Sequence, residues 1–285
     1  MSNNNVLVTG TPRSGTNLTC HLLNKVPDTV ALNEPMRVKR FGELKNHEEI
    51  CQAIKLFCDE QRESIRERKR AISKNVEGAV PDNSFGAGRS TAGLRQSIAS
   101  RGRIVIDNKL SQDFMLVIKH NSAFSAVLKG LVKRFPVYAI VRNPLATLAS
   151  WSSVNFNGQS GHAGGAERLD TDLRTSLAAI DNTLDRQIYL LGWFHGQFHR
   201  YLPEHAIIRY ESIVESAGKA LSVVRTEAKE LDVSLENRNK NTLYDYQMMI
   251  RTGERLLKHA GPFWESYTKE SVERLMNELI EPRET

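Results

Sequence analysis

The chain has 285 residues, of which 40% are hydrophobic and 25% charged, and carries a formal net charge of +6. That apolar share supplies a sizeable core and excludes disorder along the whole chain. A mean hydropathy of −0.41 and the lack of any long apolar run exclude a membrane-spanning helix. The charge is unevenly spread. Residues 1–27 and 114–166 hold no Asp or Glu, although the average of 33 acids in 285 residues would place about six in the longer stretch. Two acid-free segments point to an anionic ligand held between them, or to a nucleic-acid partner. The opening Met1-Ser2-Asn3-Asn4-Asn5 does not read as a signal peptide. Cys20, Cys51 and Cys58 fit neither a metal spacing nor a disulfide framework, so the expected location is cytoplasmic.

In chain order, Val6-Leu7-Val8 reads as a short buried strand running into a turn-rich stretch, and 16–23 as a helix with Leu18, Leu22 and Leu23 facing inward. Val30-Ala31-Leu32 is a second strand, closed by Asn33-Glu34-Pro35. Residues 47–70 predict a long helix with a charged, solvated end. Residues 80–103, rich in Gly, Ser and Arg, predict a loop or flap. Runs 115–118 and 137–141 have the length and composition of buried parallel strands, with a helical stretch, 122–134, between them. Residues 155–165 read as a second mobile, Gly-rich loop. The later half reads as helical over 170–201, 212–231 and 271–281, with one strand at 206–209. The expected architecture is a single α/β domain over 1–285: a three-layer, doubly wound parallel sheet of the P-loop nucleotide-binding type, with a largely helical C-terminal half.

Gly10-Thr11-Pro12-Arg13-Ser14-Gly15 has the G-x-x-x-x-G spacing of a phosphate loop, after a strand and opening a helix. There, free backbone N–H groups and the positive end of the helix converge on an anion. A nucleotide triphosphatase would continue with Lys and then Ser or Thr, for the β/γ-phosphates and Mg²⁺. Here Thr16 and Asn17 stand in those places, and the loop's cation is Arg13, three residues early. The expectation is phosphate binding without a metal.

Pro12-Arg13-Ser14-Gly15-Thr16 resembles the 5′-phosphosulfate loop of the sulfotransferases that use 3′-phosphoadenylyl sulfate (PAPS), in the Arg-Ser-Gly style of carbohydrate and bacterial members. The resemblance implies that Thr11, Pro12, Arg13, Ser14, Gly15, Thr16 and Asn17 hold the 5′-phosphosulfate. An Arg in place of Lys keeps the charge and adds a planar fork suited to a bidentate grip. Arg142-Asn143-Pro144, at the end of the strand 137–141, is followed by Ser150 eight residues after the Arg, which is similar to the family's 3′-phosphate motif. Arg209-Tyr210-Glu211-Ser212 is similar to the segment that closes the family's core. Arg251-Thr252-Gly253 resembles its Arg-Lys-Gly, and so implies nucleotide contacts from Arg251 and Gly253.

Sulfuryl transfer to a hydroxyl needs a base on the acceptor, charge stabilisation on the sulfate and a good leaving group. Two residues compete as base. Glu34 sits where the carbohydrate enzymes have their Glu-Pro. Lys119 and His120 resemble the Lys-x-His of the cytosolic enzymes, but here they are adjacent, which on a strand turns His120 to the opposite face unless the strand end bends. The reading favours Glu34 as base, with Lys119, His120 and Arg13 around the sulfate. The expected acceptor is a small alcohol or phenol, a sugar or a lipid-linked glycan, bound by 80–103 and 155–165, with no nucleic-acid partner and no metal. The competing readings are a P-loop phosphotransferase using ATP and a basic nucleic-acid-binding module. Trp151, Trp193 and Phe194 read as core, and His195 and His199, four apart, lack further ligands for a metal.

Overall fold

Apolar runs without polar alternation suit strands covered on both faces, and four such runs, with a short edge strand at 207–209, form the central sheet of this computed structural model, which describes residues 4–91 and 93–280. In chain order, β1 is Asn5–Gly10, α1 Thr16–Leu23, β2 Thr29–Asn33, α2 His47–Arg68, β3 Arg70–Asn75, β4 Phe85–Arg89, β5 Arg95–Ser97, β6 Ser100–Val105 and β7 Met115–Lys119. They are followed by α3 Ser122–Ala126, α4 Leu128–Leu131, β8 Val137–Val141, α5 Pro144–Ser152, α6 Gly164–Glu167, α7 Thr171–Ala178, α8 Thr183–Tyr201, β9 Ile207–Arg209 and α9 Tyr210–Glu215. The last helices are α10 Tyr246–Leu257, α11 Phe263–Ser266 and α12 Lys269–Ile280.

The sheet has the order β2-β7-β1-β8-β9 and is parallel throughout. The chain is therefore an α/β protein with a five-stranded parallel sheet at its centre. From β1 the chain moves outward to β2, whereas from β8 it moves to β9 on the other side. The connections thus diverge between β1 and β8, where a crevice opens at the strands' C-terminal ends. No helix among the described residues is long and apolar enough to cross a membrane. Cys20, Cys51 and Cys58 are buried and unpaired.

Several stretches differ from expectation, among them 122–134, which holds two short helices, α3 and α4, and 170–201, which is split into α7 and α8. The predicted flap 80–103 holds β4 and β5, an antiparallel pair, and the start of β6, which pairs antiparallel with β3. The helix expected over 47–70 stops at Arg68, because Lys69 turns left-handed (φ 52°) and sends the chain into β3. Beyond α9, the expected helix 212–231 breaks at Ala217 and Gly218, both at positive φ, and continues as short 3₁₀ turns.

Candidate functional site

The C-terminal ends of β2, β7, β1 and β8 lie side by side, so residues far apart in sequence open onto one cavity of about 930 Å³. Its floor is the turn from β1 to α1. Ser14 N–H closes back on the Thr11 carbonyl (3.1 Å), and the Ser14 hydroxyl donates to the Ile140 carbonyl (2.6 Å). Trp151 of α5, fully buried, donates its indole N–H to the Pro12 carbonyl (2.7 Å) and fixes the loop from behind. Arg13 (φ 71°) and Gly15 (φ 91°) are both left-handed, and a Cβ on Gly15 would stand 2.7 Å from the Tyr210 ring. No side chain caps α1, and Gly15, Thr16, Asn17 and Leu18 line the cavity. The uncapped N–H groups of the first turn therefore face the open space, the arrangement that favours an anion.

On one side of this turn lies an ammonium–carboxylate cluster. Lys119, only 2% exposed, donates to Asn17 Oδ1 (3.0 Å), Asn33 Oδ1 (3.2 Å) and Glu34 Oε1 (3.0 Å), so all three of its donors are used. The β2–β7 register sets Asn33 beside Lys119, and Glu34 follows directly, in the left-handed region at φ 43°. A non-glycine residue held there, just before Pro35, is the kind of strain that gathers at working sites. The other carboxylate oxygen, Oε2, meets Lys74 Nζ of β3 at 2.5 Å, and Arg101 of β6 donates to the Glu34 carbonyl (3.1 Å). Burial pushes the Glu34 pKa up, but Lys119, Lys74 and His120 outweigh it and hold the group well below the usual carboxylate range.

On the other side the guanidinium groups of Arg13, Arg95 and Arg142 gather around Tyr244, with that of Arg238 near Arg13 and Arg95. Arg142, 5% exposed at the end of β8, donates to Asn239 Oδ1 (2.8 Å), the Arg13 carbonyl (3.2 Å) and the Arg238 carbonyl (2.5 Å), and stacks over Tyr210. Burial lowers the Arg142 pKa, but Tyr244, Tyr210 and Glu211 reverse it to a net rise. Arg13 donates to Ser150 Oγ (3.1 Å) and Asn83 Oδ1 (3.1 Å) and lies over the Phe85 ring; burial and the other guanidinium groups lower its pKa to about 10. The Tyr244 hydroxyl hydrogen-bonds both Ser150 and Arg142, and these cations hold its pKa down in spite of burial. Around the cavity as a whole, seven cationic side chains face three carboxylates, one of them the doubly paired Glu34.

Several expected site residues meet here: Pro12, Arg13, Gly15, Thr16, Asn17, Glu34, Lys119 and Arg142 line the cavity. Thr11 and Ser14 are buried within the turn, and Ser150 lies fully buried beneath Arg13 and Tyr244. His120 is not brought to it. Its Nε2 accepts the Met36 N–H (3.0 Å), its ring is 4% exposed, and burial lowers its pKa to about 3. Arg251 is exposed on α10. Gly253 serves the contact of α10 with α12, where a Cβ would stand 2.3 Å from Met276 Sδ. His195 and His199 both reach Ser266 Oγ, at 3.2 and 2.8 Å. Among the described residues, no group of three or more metal-ligating side chains converges.

Sequence reasoning missed Lys74, Arg95, Asn239 and Tyr244. Lys74 alone left a signal, since Ala71 and Ser73 alternate with outward residues as in a half-buried strand. The chain matches no protein-family model and no curated protein.

Proposed function

We propose that the protein is a PAPS-dependent sulfotransferase built on a P-loop-type sheet, passing a sulfuryl group to an acceptor hydroxyl without a metal. The observation that carries the reading is the convergence on one cavity of the uncapped α1 turn, the Lys119–Glu34–Lys74 cluster and the guanidinium group around Arg142. The residues present fit the donor: an open helix N-terminus with no side-chain cap and cations in excess of carboxylates both favour a polyanionic nucleotide. The turn with Arg13 would hold the 5′-phosphosulfate, and Arg142 with Ser150 the 3′-phosphate. When bound, PAPS supplies an electrophilic sulfuryl group on a bisphosphate leaving group.

The chain's own part follows from its charges. Lys119 stands at the mouth of the turn as a buried cation, positioned to offset negative charge developing on the departing oxygen. Glu34 is the acceptor's base. Two ammonium groups depress its basicity at rest, so it accepts a proton at Oε1 only as Lys119 is drawn toward that developing charge. His120 takes no part, because its Nε2 lone pair is committed to Met36. Asn17, in place of a Mg²⁺-binding hydroxyl, links Lys119 to Ser84 (2.6 Å). The test is release of adenosine 3′,5′-bisphosphate from PAPS, with and without EDTA. Turnover that survives chelation and is abolished in Glu34→Gln but kept in His120→Asn supports the reading; turnover only with Mg²⁺-ATP would replace it by phosphoryl transfer.

A further inference from the structure

The β3–β6 ribbon runs from the cavity rim out along the surface, and its two faces differ sharply. Ala71, Ser73 and Ile104 point into the protein. The outward face pairs Arg70 with Val105, Ile72 with Arg103 and Lys74 with Arg101. Four of those six side chains are cations, and neither 70–75 nor 100–105 contains an Asp or Glu. Among the described residues, Arg70, Arg101 and Arg103 form no ion pair; Lys74 has only Glu34. Like charges directly opposite on a ribbon, as Lys74 and Arg101 are, oppose strand pairing. A second element or a counter-charge would relieve them, and the described chain supplies only Glu34.

We propose that this face is the track for a polyanionic acceptor chain, which it feeds to the transfer site. The inference rests on the sulfotransferase reading, for which it names the acceptor class. Continuity is the first argument: Lys74 lines the cavity and bonds Glu34 Oε2, while Arg101 bonds the Glu34 carbonyl, so the stripe ends on the base itself. Length is the second. From Arg70 to Lys74 the stripe covers ~13 Å at strand rise, more than one compact anion spans. The third separates acidic polysaccharides from nucleic acids. The outward face carries Ile72 and Val105 but no aromatic ring on which bases could stack.

The test uses the full chain and the double variant Arg70→Gln/Arg103→Gln, neither residue lining the cavity. Binding is read by anisotropy with fluorescein-labelled dextran sulfate, uncharged dextran of matched length and single-stranded polyuridylate. Affinity for adenosine 3′,5′-bisphosphate is read in parallel. The expected result is salt-sensitive binding of dextran sulfate, weakened about tenfold in the variant, with bisphosphate affinity and unfolding midpoint unchanged. In turnover, carboxymethyl dextran should exceed neutral dextran as acceptor in kcat/KM, and the variant should lose that advantage. Equal binding of charged and neutral dextran, or no change in the variant, overturns the track. Tighter binding of polyuridylate through the same two arginines overturns it in favour of a nucleic acid. Polyanion binding without bisphosphate binding refutes the sulfotransferase reading, and with it the ribbon's role as an acceptor track.

Discussion

Lys119 is the side chain on which the site's charge balance turns. A buried ammonium with all its donors used is stable only while its acceptors stay in place, and Asn17, Asn33 and Glu34 come from three different segments. Lys119→Met should therefore lower turnover by ~10²–10³, as loss of one well-placed charge-stabilising donor does, and steady-state release of the bisphosphate measures it. Tyr244 makes the opposite contribution. Its hydroxyl bonds the two residues assigned to the 3′-phosphate, so it competes with the ligand. Tyr244→Phe should tighten bisphosphate binding, and calorimetry that shows weaker binding would make Tyr244 a ligand contact instead. Burial also keeps two histidines neutral: His120 and His195 are each lowered to about 3. Between that value and the unfolded ~6.5, the folded chain binds fewer protons than the unfolded one. Stability is thus full above ~6.5 and falls with pH through that window, by at most ~1.4 kcal/mol per pH unit for each histidine. Urea unfolding at a series of pH values should show this slope, and His195→Gln should flatten it.

The elements that shape the site differ in how plainly the sequence announces them. The helix α1 and the strands β1, β2, β7 and β8 follow from apolar runs that only a doubly covered sheet accommodates, and their ends carry Arg13, Glu34, Lys119 and Arg142. The split of 170–201 into α7 and α8 is also written locally, since Asn182 caps Asp185 N–H. By contrast β3, β4, β5 and β6 are half exposed, and the buried side chains of β3, Ala71 and Ser73, are small, so their alternation is faint and no apolar run marks these strands. Arg95 is hidden with them, and Lys74 shows only through the faint alternation of Ala71 and Ser73. Tyr244 was hidden for another reason: its role exists only because the segment after the 3₁₀ turns folds back on Arg142. Two glycines test the element scale. Gly15→Ala forces a left-handed Cβ against Tyr210 and should abolish tight bisphosphate binding at a cost of about 1–3 kcal/mol in stability. Gly253→Ala should lower the unfolding midpoint through the α10–α12 contact and leave bisphosphate affinity unchanged.

At the scale of the whole molecule, topology does what no local signal predicts. Strand order β2-β7-β1-β8 brings residues 13, 34, 119 and 142 to one edge, and concentrates there the cations of two acid-free segments. Field focusing in such a cleft favours a multiply charged nucleotide over a singly charged one. The lysine of a triphosphate loop is absent from α1, and the charge comes instead from β3, β7 and β8. The measurement that tests this most directly is calorimetric titration with adenosine 3′,5′-bisphosphate, run beside ADP and ATP with and without Mg²⁺, on the wild-type chain and on Arg142→Ala. The account predicts tight, metal-independent binding of the bisphosphate, preferred over ADP and lost on removing Arg142. Preference for Mg²⁺-ATP, or equal affinity in Arg142→Ala, would contradict it.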